Sequence, residues 1–186
     1  MDMGRSAEAV SEFERALQVD PLSPLAGTML AKAFYFHRDF DKAIDQYNAV
    51  LKENPGFPIA SSFLVQAYEQ VGRFDDAIAE SRRAIPLAGG DIHRAAQVSD
   101  SLEAAFKSGG AEGYWKTRLD SEKGQSPLEK AALYSMLNRK DEAFQALEQA
   151  FFQHDMWLVP LKVEPRWDHL RSDPRFDKML QRVGLN

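Results

Sequence analysis

The sequence predicts an all-α fold, a solenoid of antiparallel helix hairpins, on the strength of three observations. Apolar residues recur at i, i+3, i+4 and i+7, which is the spacing of an amphipathic helix. No stretch alternates with a period of two for long enough to indicate a strand. Several residue types also share a step of 34 residues, which separates Pro21 from Pro55 and Ala9, Ala43 and Ala77 from one another. We therefore expect a stack of repeats rather than one globular core.

Each repeat is predicted to contain two helices joined by a short turn. Residues 25–36 and 40–51 both carry the helical pattern, and residues 37–39 separate them. Pro24 and Pro58 occupy first-turn positions, where a missing amide costs a helix nothing. Residues 1–156 would thus hold about four and a half repeats: a half repeat over 4–21, repeats over 24–55 and 58–88, a degenerate hairpin over 91–123, and a repeat over 126–154.

The remaining residues, 157–186, are predicted to cap the stack with further helices. Prolines interrupt this segment, and Asp173 with Pro174 marks the start of a last helix that Gly184 ends. The end of a solenoid exposes an apolar face unless something covers it. We assign five apolar residues to that cover: Trp157, Trp167, Leu170, Phe176 and Leu180.

The residues at equivalent repeat positions resemble the tetratricopeptide repeat family. One full repeat is indicated by Leu30, Ala31, Phe34, Ala43, Tyr47, Val50 and Pro55, and another by Leu64, Tyr68, Gly72, Ala77 and Ala84. The pattern returns at Ala131, Tyr134, Ala143, Leu147 and Ala150. The C-terminal segment also resembles the extension that follows such repeats in bacterial multidomain signalling proteins. This resemblance implies an interaction module that belongs to a larger regulatory protein.

Composition excludes several other functions. Lys and Arg number 23 and Asp and Glu 28, and this net charge of -5 argues against nonspecific nucleic-acid binding. Cysteine is absent, which excludes disulfides, thiolate catalysis and cysteine-bound zinc. The longest apolar run, residues 156–161, is far shorter than the ~20 residues that span a bilayer. We expect a cytoplasmic chain that binds neither nucleic acid nor membrane.

The search for catalytic and metal-binding motifs gives no candidate. None of the four histidines lies in an HExxH arrangement or has a second histidine four residues away. Residues 109–113 lack the lysine and hydroxyl residue that end a phosphate-binding loop. No Gly-x-Ser-x-Gly sequence is present. The sequence therefore predicts no enzyme activity, no metal and no cofactor.

The resemblance implies a concave groove, lined by the first helix of each repeat, that holds a peptide or helix of a protein partner. Carried over by position, the lining comprises Leu25, Thr28, Met29, Lys32, Tyr35 and Phe36 from one repeat and Ile59, Ser62, Phe63, Gln66, Glu69 and Gln70 from the next. Only Lys32 matches a position that clamps a terminal carboxylate in this family, so we predict no such clamp. Tyr35 and Phe36 could be binding anchors or inter-repeat packing.

The N-terminal helix suggests an alternative function. Ala9, Phe13 and Ala16 resemble the second helix of a repeat whose first helix the sequence does not contain. These residues are expected to face a missing partner, so either the chain is a fragment of a longer protein or another molecule covers them. Self-association through this face, as an oligomerisation or scaffold segment, is compatible with both.

Overall fold

The computed structural model describes residues 3–121 and 126–185, with the side chains of residues 3–7 left out. These residues are mostly helical and include no strand, which confirms the all-α prediction. The chain divides into two compact units between residues 104 and 105. The α-helices are α1 (Met3–Val19), α2 (Pro24–Phe36), α3 (Phe40–Glu53), α4 (Pro58–Gln70), α5 (Phe74–Leu87), α6 (Ile92–Ser121), α7 (Pro127–Met136), α8 (Lys140–Phe152) and α9 (Pro174–Val183), and two 3₁₀ helices span Met156–Lys162 and Pro165–Trp167.

In the first unit, each helix from α1 to α4 packs against the next one in the chain, and α2 also contacts α4. The alanines that share the 34-residue step in this core, Ala43 and Ala77, are both fully buried. Small residues there let the helix backbones approach closely. Gly27 on α2 does the same, because a Cβ atom on it would lie only 2.6 Å from Cγ2 of Val50 on α3.

The turn between α4 and α5 shows how a hairpin is closed. Gly72 has a φ of 74°, and the N–H of Arg73 donates to the carbonyl of Tyr68, a left-handed ending typical of helices. The Arg73 guanidinium lies over the Tyr68 ring, 4.7 Å from its centroid, and its Nε donates to the Asp76 carboxylate at 2.6 Å. That hydrogen bond raises the pKa of Arg73. Stacking and ion pair thus hold the start of α5 against the end of α4.

The same turn recurs at the other repeat hairpins. Arg38 (φ 65°) and Asn138 (φ 55°) take the position of Gly72. In the α7–α8 turn, Arg139 lies over the Tyr134 ring and donates to the Glu142 carboxylate. In the α2–α3 turn the charges are in reverse order: Lys42 lies over the Phe34 ring and donates to the Asp39 carboxylate. The hydrogen bond from Arg139 lowers the pKa of Glu142. One local geometry therefore serves three hairpins with different side chains.

Helix α6 is interrupted at Gly110, within the region predicted as a degenerate hairpin over 91–123. Gly110 has a φ of 58° and a ψ of -150°, values that no helix contains. Beyond it, a Cβ atom on Gly113 would lie 2.4 Å from the carbonyl oxygen of Ala105, so the two helical segments cross with no room for a side chain. Within the first unit, Arg82 of α5 pairs with Asp100 of α6 at 2.5 Å. The last residues of the predicted hairpin over 91–123 lie outside the described residues, as do the end residues 1, 2 and 186 of the predicted repeat and cap regions.

In the second unit, α7 and α8 share a core with the C-terminal segment. Trp167, Leu170 and Phe176 are buried in this core, and Leu180 is partly buried against it. Two ion pairs, Arg175 with Asp141 and Arg182 with Glu148, join α9 to α8. The second pair lies seven residues, or two turns, after the first on both helices, so α9 runs parallel to α8.

Trp157, which the sequence places in the cap, does not contribute to it. Its side chain is 57% exposed, whereas Leu158 and Leu161 of the same 3₁₀ helix are buried. With three residues per turn, positions 158 and 161 share one face and Trp157 lies on another. The prediction placed Trp157 among the core residues of the cap, and the 3₁₀ geometry makes that wrong for this side chain.

Candidate functional site

The candidate site lies on the first helices of two adjacent repeats. Helix α2 contributes residues at i, i+3 and i+7, and α4 contributes residues at i, i+4, i+7 and i+11, so each set follows one side of its helix. All are exposed or partly exposed. We call these seven side chains the α2–α4 face: Met29, Lys32, Phe36, Ile59, Phe63, Gln66 and Gln70.

Lys32 is the centre of this face. Its Nζ atom lies 4.0 Å from the ring centroid of Phe63 on α4 and 5.4 Å from that of Phe36 on α2. An ammonium group over an aromatic ring is attracted by the ring quadrupole, by about 0.5–1 kcal/mol at exposed sites. The structure thus brings three residues of the predicted groove into direct contact.

Phe36 and Phe63 also pack against the core of the first unit. The Phe63 ring lies 6.3 Å, centroid to centroid, from the ring of the fully buried Tyr47. Each of the two phenylalanines is half-buried, with one part against the core and another on the surface. Each ring can therefore pack against the core and still be available to a binding partner.

Thr28, Tyr35 and Glu69 of the predicted lining offer no contact surface. Thr28 is fully buried, and its Oγ1 donates to the carbonyl of Pro24 at 2.6 Å. Tyr35 is 3% exposed and packs edge-on against Phe40. Glu69 is buried as well. These side chains point into the helix packing, so the surface is narrower than the sequence indicates, although Ser62 and Leu25 are exposed beside it.

Charge is distributed unequally between the first and second helices of the repeats. Helices α2 and α4 carry two charged residues, Lys32 and Glu69, and the second of these is buried. Helices α3 and α5 carry five charged residues each. The α2–α4 face is therefore an apolar and amide surface with a single, partly exposed cation.

The residues predicted for self-association lie on α1. Ala9 and Phe13 are half-buried and Ala16 is exposed. Of the α1 side chains that the structure describes, residues 8–19, none is buried, although α1 packs against α2. Apolar surface of α1 therefore remains in contact with solvent.

Some carboxylates outside the α2–α4 face have lowered pKa values. Hydrogen bonds from the Arg175 side chain lower the pKa of Asp173 to about 2 at the start of α9. The Lys116 ammonium lowers the pKa of Glu112 in the same way. Among the described residues, no group of three or more His, Asp or Glu is placed to hold a metal ion. Nor does any described helix have the length and apolar character to cross a membrane.

One surface in the second unit was missed by the sequence analysis. Phe152, Met156, Trp157 and Val159 are all more than half exposed. The apolar run 156–161 was considered as a membrane span and Trp157 as part of the cap. The division of the run into inward and outward residues depends on the 3₁₀ geometry. A separate cleft of about 470 Å³ lies between α8 and α9, where Arg175 and Arg182 are both paired with carboxylates.

Comparison with known proteins gives one family match. The model of the tetratricopeptide repeat family matches residues 28–92, which cover the last nine residues of α2, all of α3 to α5 and the first residue of α6. No curated protein matches the chain. The match includes both helices that form the α2–α4 face.

Proposed function

Residues 28–92 are a tetratricopeptide repeat region, and from this we propose that the α2–α4 face binds a peptide or a helix of a partner protein. Repeats of this family generally mediate protein–protein interaction and are not catalytic. The observation that carries the proposal is the nearly uncharged surface around Lys32, with Met29, Ile59 and Phe63 as apolar contacts. Methionine and aromatic residues are enriched at the centres of protein interfaces, and charges are depleted there.

The binding mode would be recognition by a preformed surface without a cofactor. Both helices are fixed by the core of the first unit, so little conformational entropy is lost when a partner binds. Apolar side chains of the partner would pack on Met29, Ile59 and the outer part of Phe63. Lys32 would contact a carbonyl or carboxylate oxygen, and Gln66 supplies an amide for the partner backbone. A clamp for a terminal carboxylate is not proposed, because Lys32 is the only exposed cation on α2 and α4.

Selection from a random peptide library with the full chain would test the proposal. Affinities of the selected peptides, measured by fluorescence anisotropy, should fall about tenfold or more for Ile59→Ser, as at interface hot spots. Phe63→Leu is a suitable second variant, since leucine keeps a contact with the core. Leu22→Ser is the matched control, because Leu22 is 72% exposed but lies outside the face. Peptides that bind all variants equally would contradict the proposal.

Self-association through α1 is a second candidate function. The exposed apolar surface of α1, with the half-buried Phe13, supports it. Sedimentation velocity should then show dimers that Phe13→Asp dissociates, whereas a chain that is monomeric at all concentrations would exclude it.

We also propose that the chain acts as a cytoplasmic module of a larger bacterial signalling protein, on the basis of the resemblance of its C-terminal segment. The complete reading frame tests this, since a kinase, cyclase or DNA-binding domain should lie upstream.

A further inference from the structure

We propose that a patch on the second unit is the contact through which two copies of the chain form a symmetric dimer. The C-terminal patch consists of Phe152, Met156, Trp157 and Val159, which are 71%, 75%, 57% and 68% exposed. Singly scattered exposed apolar residues are ordinary, whereas four of them within residues 152–159 expose as much apolar surface as the largest patch on a typical protein, which is often functional. This inference is independent of the function proposed for the α2–α4 face.

The 3₁₀ helix Met156–Lys162, which carries three of the four patch residues, is fixed to the second unit. Asp155 accepts a hydrogen bond from the N–H of Trp157 at 2.9 Å and so fixes the start of the 3₁₀ helix. Leu158 and Leu161 anchor the helix in the core. In a 3₁₀ helix residues three apart share a face, so Met156 and Val159 point the same way. Trp157 lies on the neighbouring outward face, since the third face is turned to the core. A surface fixed in this manner loses little entropy on binding.

The exposed area agrees with what a dimer needs. From the areas of such side chains, the four residues expose on the order of 500 Å². Interface cores are about 65% apolar, so this amount corresponds to roughly 800 Å² per copy when a polar rim is included. A stable interface buries about 800 Å² on each partner. One patch facing another therefore reaches the standard size, whereas a short peptide would cover only part of it.

Charge also favours a second copy. In a two-fold contact the same patch meets itself, so any charge at its centre would face a like charge. Residues 156–161 carry no charge, and the Asp155 carboxylate before them accepts the hydrogen bond from the N–H of Trp157. At the edge of the patch, the Arg182 guanidinium lies 5.9 Å from the Phe152 ring centroid and is paired with Glu148, which neutralises it. The patch can thus face its own copy without like-charge repulsion at the centre.

Sedimentation velocity of the full chain over a wide concentration range tests the proposal. The wild type should form dimers, and Trp157→Ser should weaken dimerisation about tenfold or more, as a hot-spot tryptophan does. The double variant Met156→Ser with Val159→Ser provides a second test that leaves Trp157 in place. Val19→Ser is the matched control, because Val19 is 88% exposed on α1 in the first unit and should leave the dimer intact.

Tryptophan fluorescence gives a second measurement. Trp115 and Trp167 are buried, so acrylamide quenching of the wild type reports mainly on the exposed Trp157. Quenching should decrease as the concentration rises and dimers form. A wild type that stays monomeric, or dimers that persist in both patch variants, would overturn the proposal. It would also be overturned if Phe13→Asp alone dissociates the dimer, or if the monomer sediments with phosphatidylserine–phosphatidylcholine vesicles through Trp157.

Discussion

Replacing Gly27 by alanine should destabilise the first unit, although alanine is the better helix former. The new Cβ atom would lie 2.6 Å from Cγ2 of Val50 and 3.3 Å from Nε2 of Gln46. The glutamine end can move, but Val50 is buried and its β-branched side chain has essentially one rotamer in a helix. Carbon atoms pack at about 3.5–4.0 Å, so α2 and α3 must separate by roughly 1 Å.

Two opposing terms determine the size of this effect. Overpacking a core costs about 1–3 kcal/mol, and alanine gains about 0.8–1 kcal/mol over glycine within a helix. The difference between these terms centres on about 1 kcal/mol, which is the net loss that we expect in the free energy of unfolding. Urea denaturation followed by far-UV circular dichroism is the suitable assay, because all three tryptophans belong to the second unit and their fluorescence does not follow the first.

Two variants make this prediction refutable. Gly56→Ala is the control in the same unit, since its Cβ atom would meet only the Leu87 carbonyl oxygen at an ordinary 3.6 Å. It should be neutral or stabilising by up to about 1 kcal/mol. Val50→Ala removes the clashing methyl group, so the double variant with Gly27→Ala should lose less stability than the sum of the single variants. Unchanged or increased stability of Gly27→Ala, or simple additivity with Val50→Ala, would refute the reasoning.

Three further predictions concern stability. Arg83→Met should cost about 1–2 kcal/mol in urea denaturation, because it leaves the nearly buried Glu80 carboxylate without its guanidinium partner; a loss below about 0.5 kcal/mol would contradict this. Arg38→Gly should raise the midpoint of thermal unfolding by relieving a φ of 65°, a gain of up to about 1 kcal/mol, and a lower midpoint would contradict it. Because the pKa of Asp173 is lowered from 3.8 to about 2, its stabilising contribution is complete above pH 3.8 and lost as the pH falls to about 2. Asp173→Asn should therefore be less sensitive to acid over this range, and an identical pH dependence would contradict the role of Asp173.

The fold could be predicted because repetition supplies the same signal several times. The 34-residue step placed Ala43 and Ala77 at helix crossings, and the structure buries both completely. Proline at a first helical position marks a boundary by a local rule, so the starts of α2 and α4 at Pro24 and Pro58 could be read directly. These inferences need only spacing and backbone chemistry.

The site was harder to predict because neighbouring helical residues differ by about 100° in direction. Tyr35 and Phe36 are adjacent in the sequence, yet the first is buried and the second partly exposed. Thr28 looked like a polar surface residue, but its hydroxyl is satisfied by the backbone of its own helix. The orientation of Trp157 required the 3₁₀ helix, for which the sequence carries no periodic pattern. Which side of a helix faces a neighbour depends on packing, and spacing alone does not determine it.

The reversed ion pair in the hairpin turns has a consequence for how such repeats diverge. Asp39 with Lys42 and Arg73 with Asp76 perform the same task with opposite signs. Reversing the order of the charges in such a pair takes two substitutions. After the first, the two positions carry like charges on one helical turn, at a cost of about 0.2–0.5 kcal/mol. That amount is a small fraction of the stability of a folded domain. Mutation can therefore exchange the two charges one at a time without unfolding the hairpin, so repeats of common origin need share only the turn geometry.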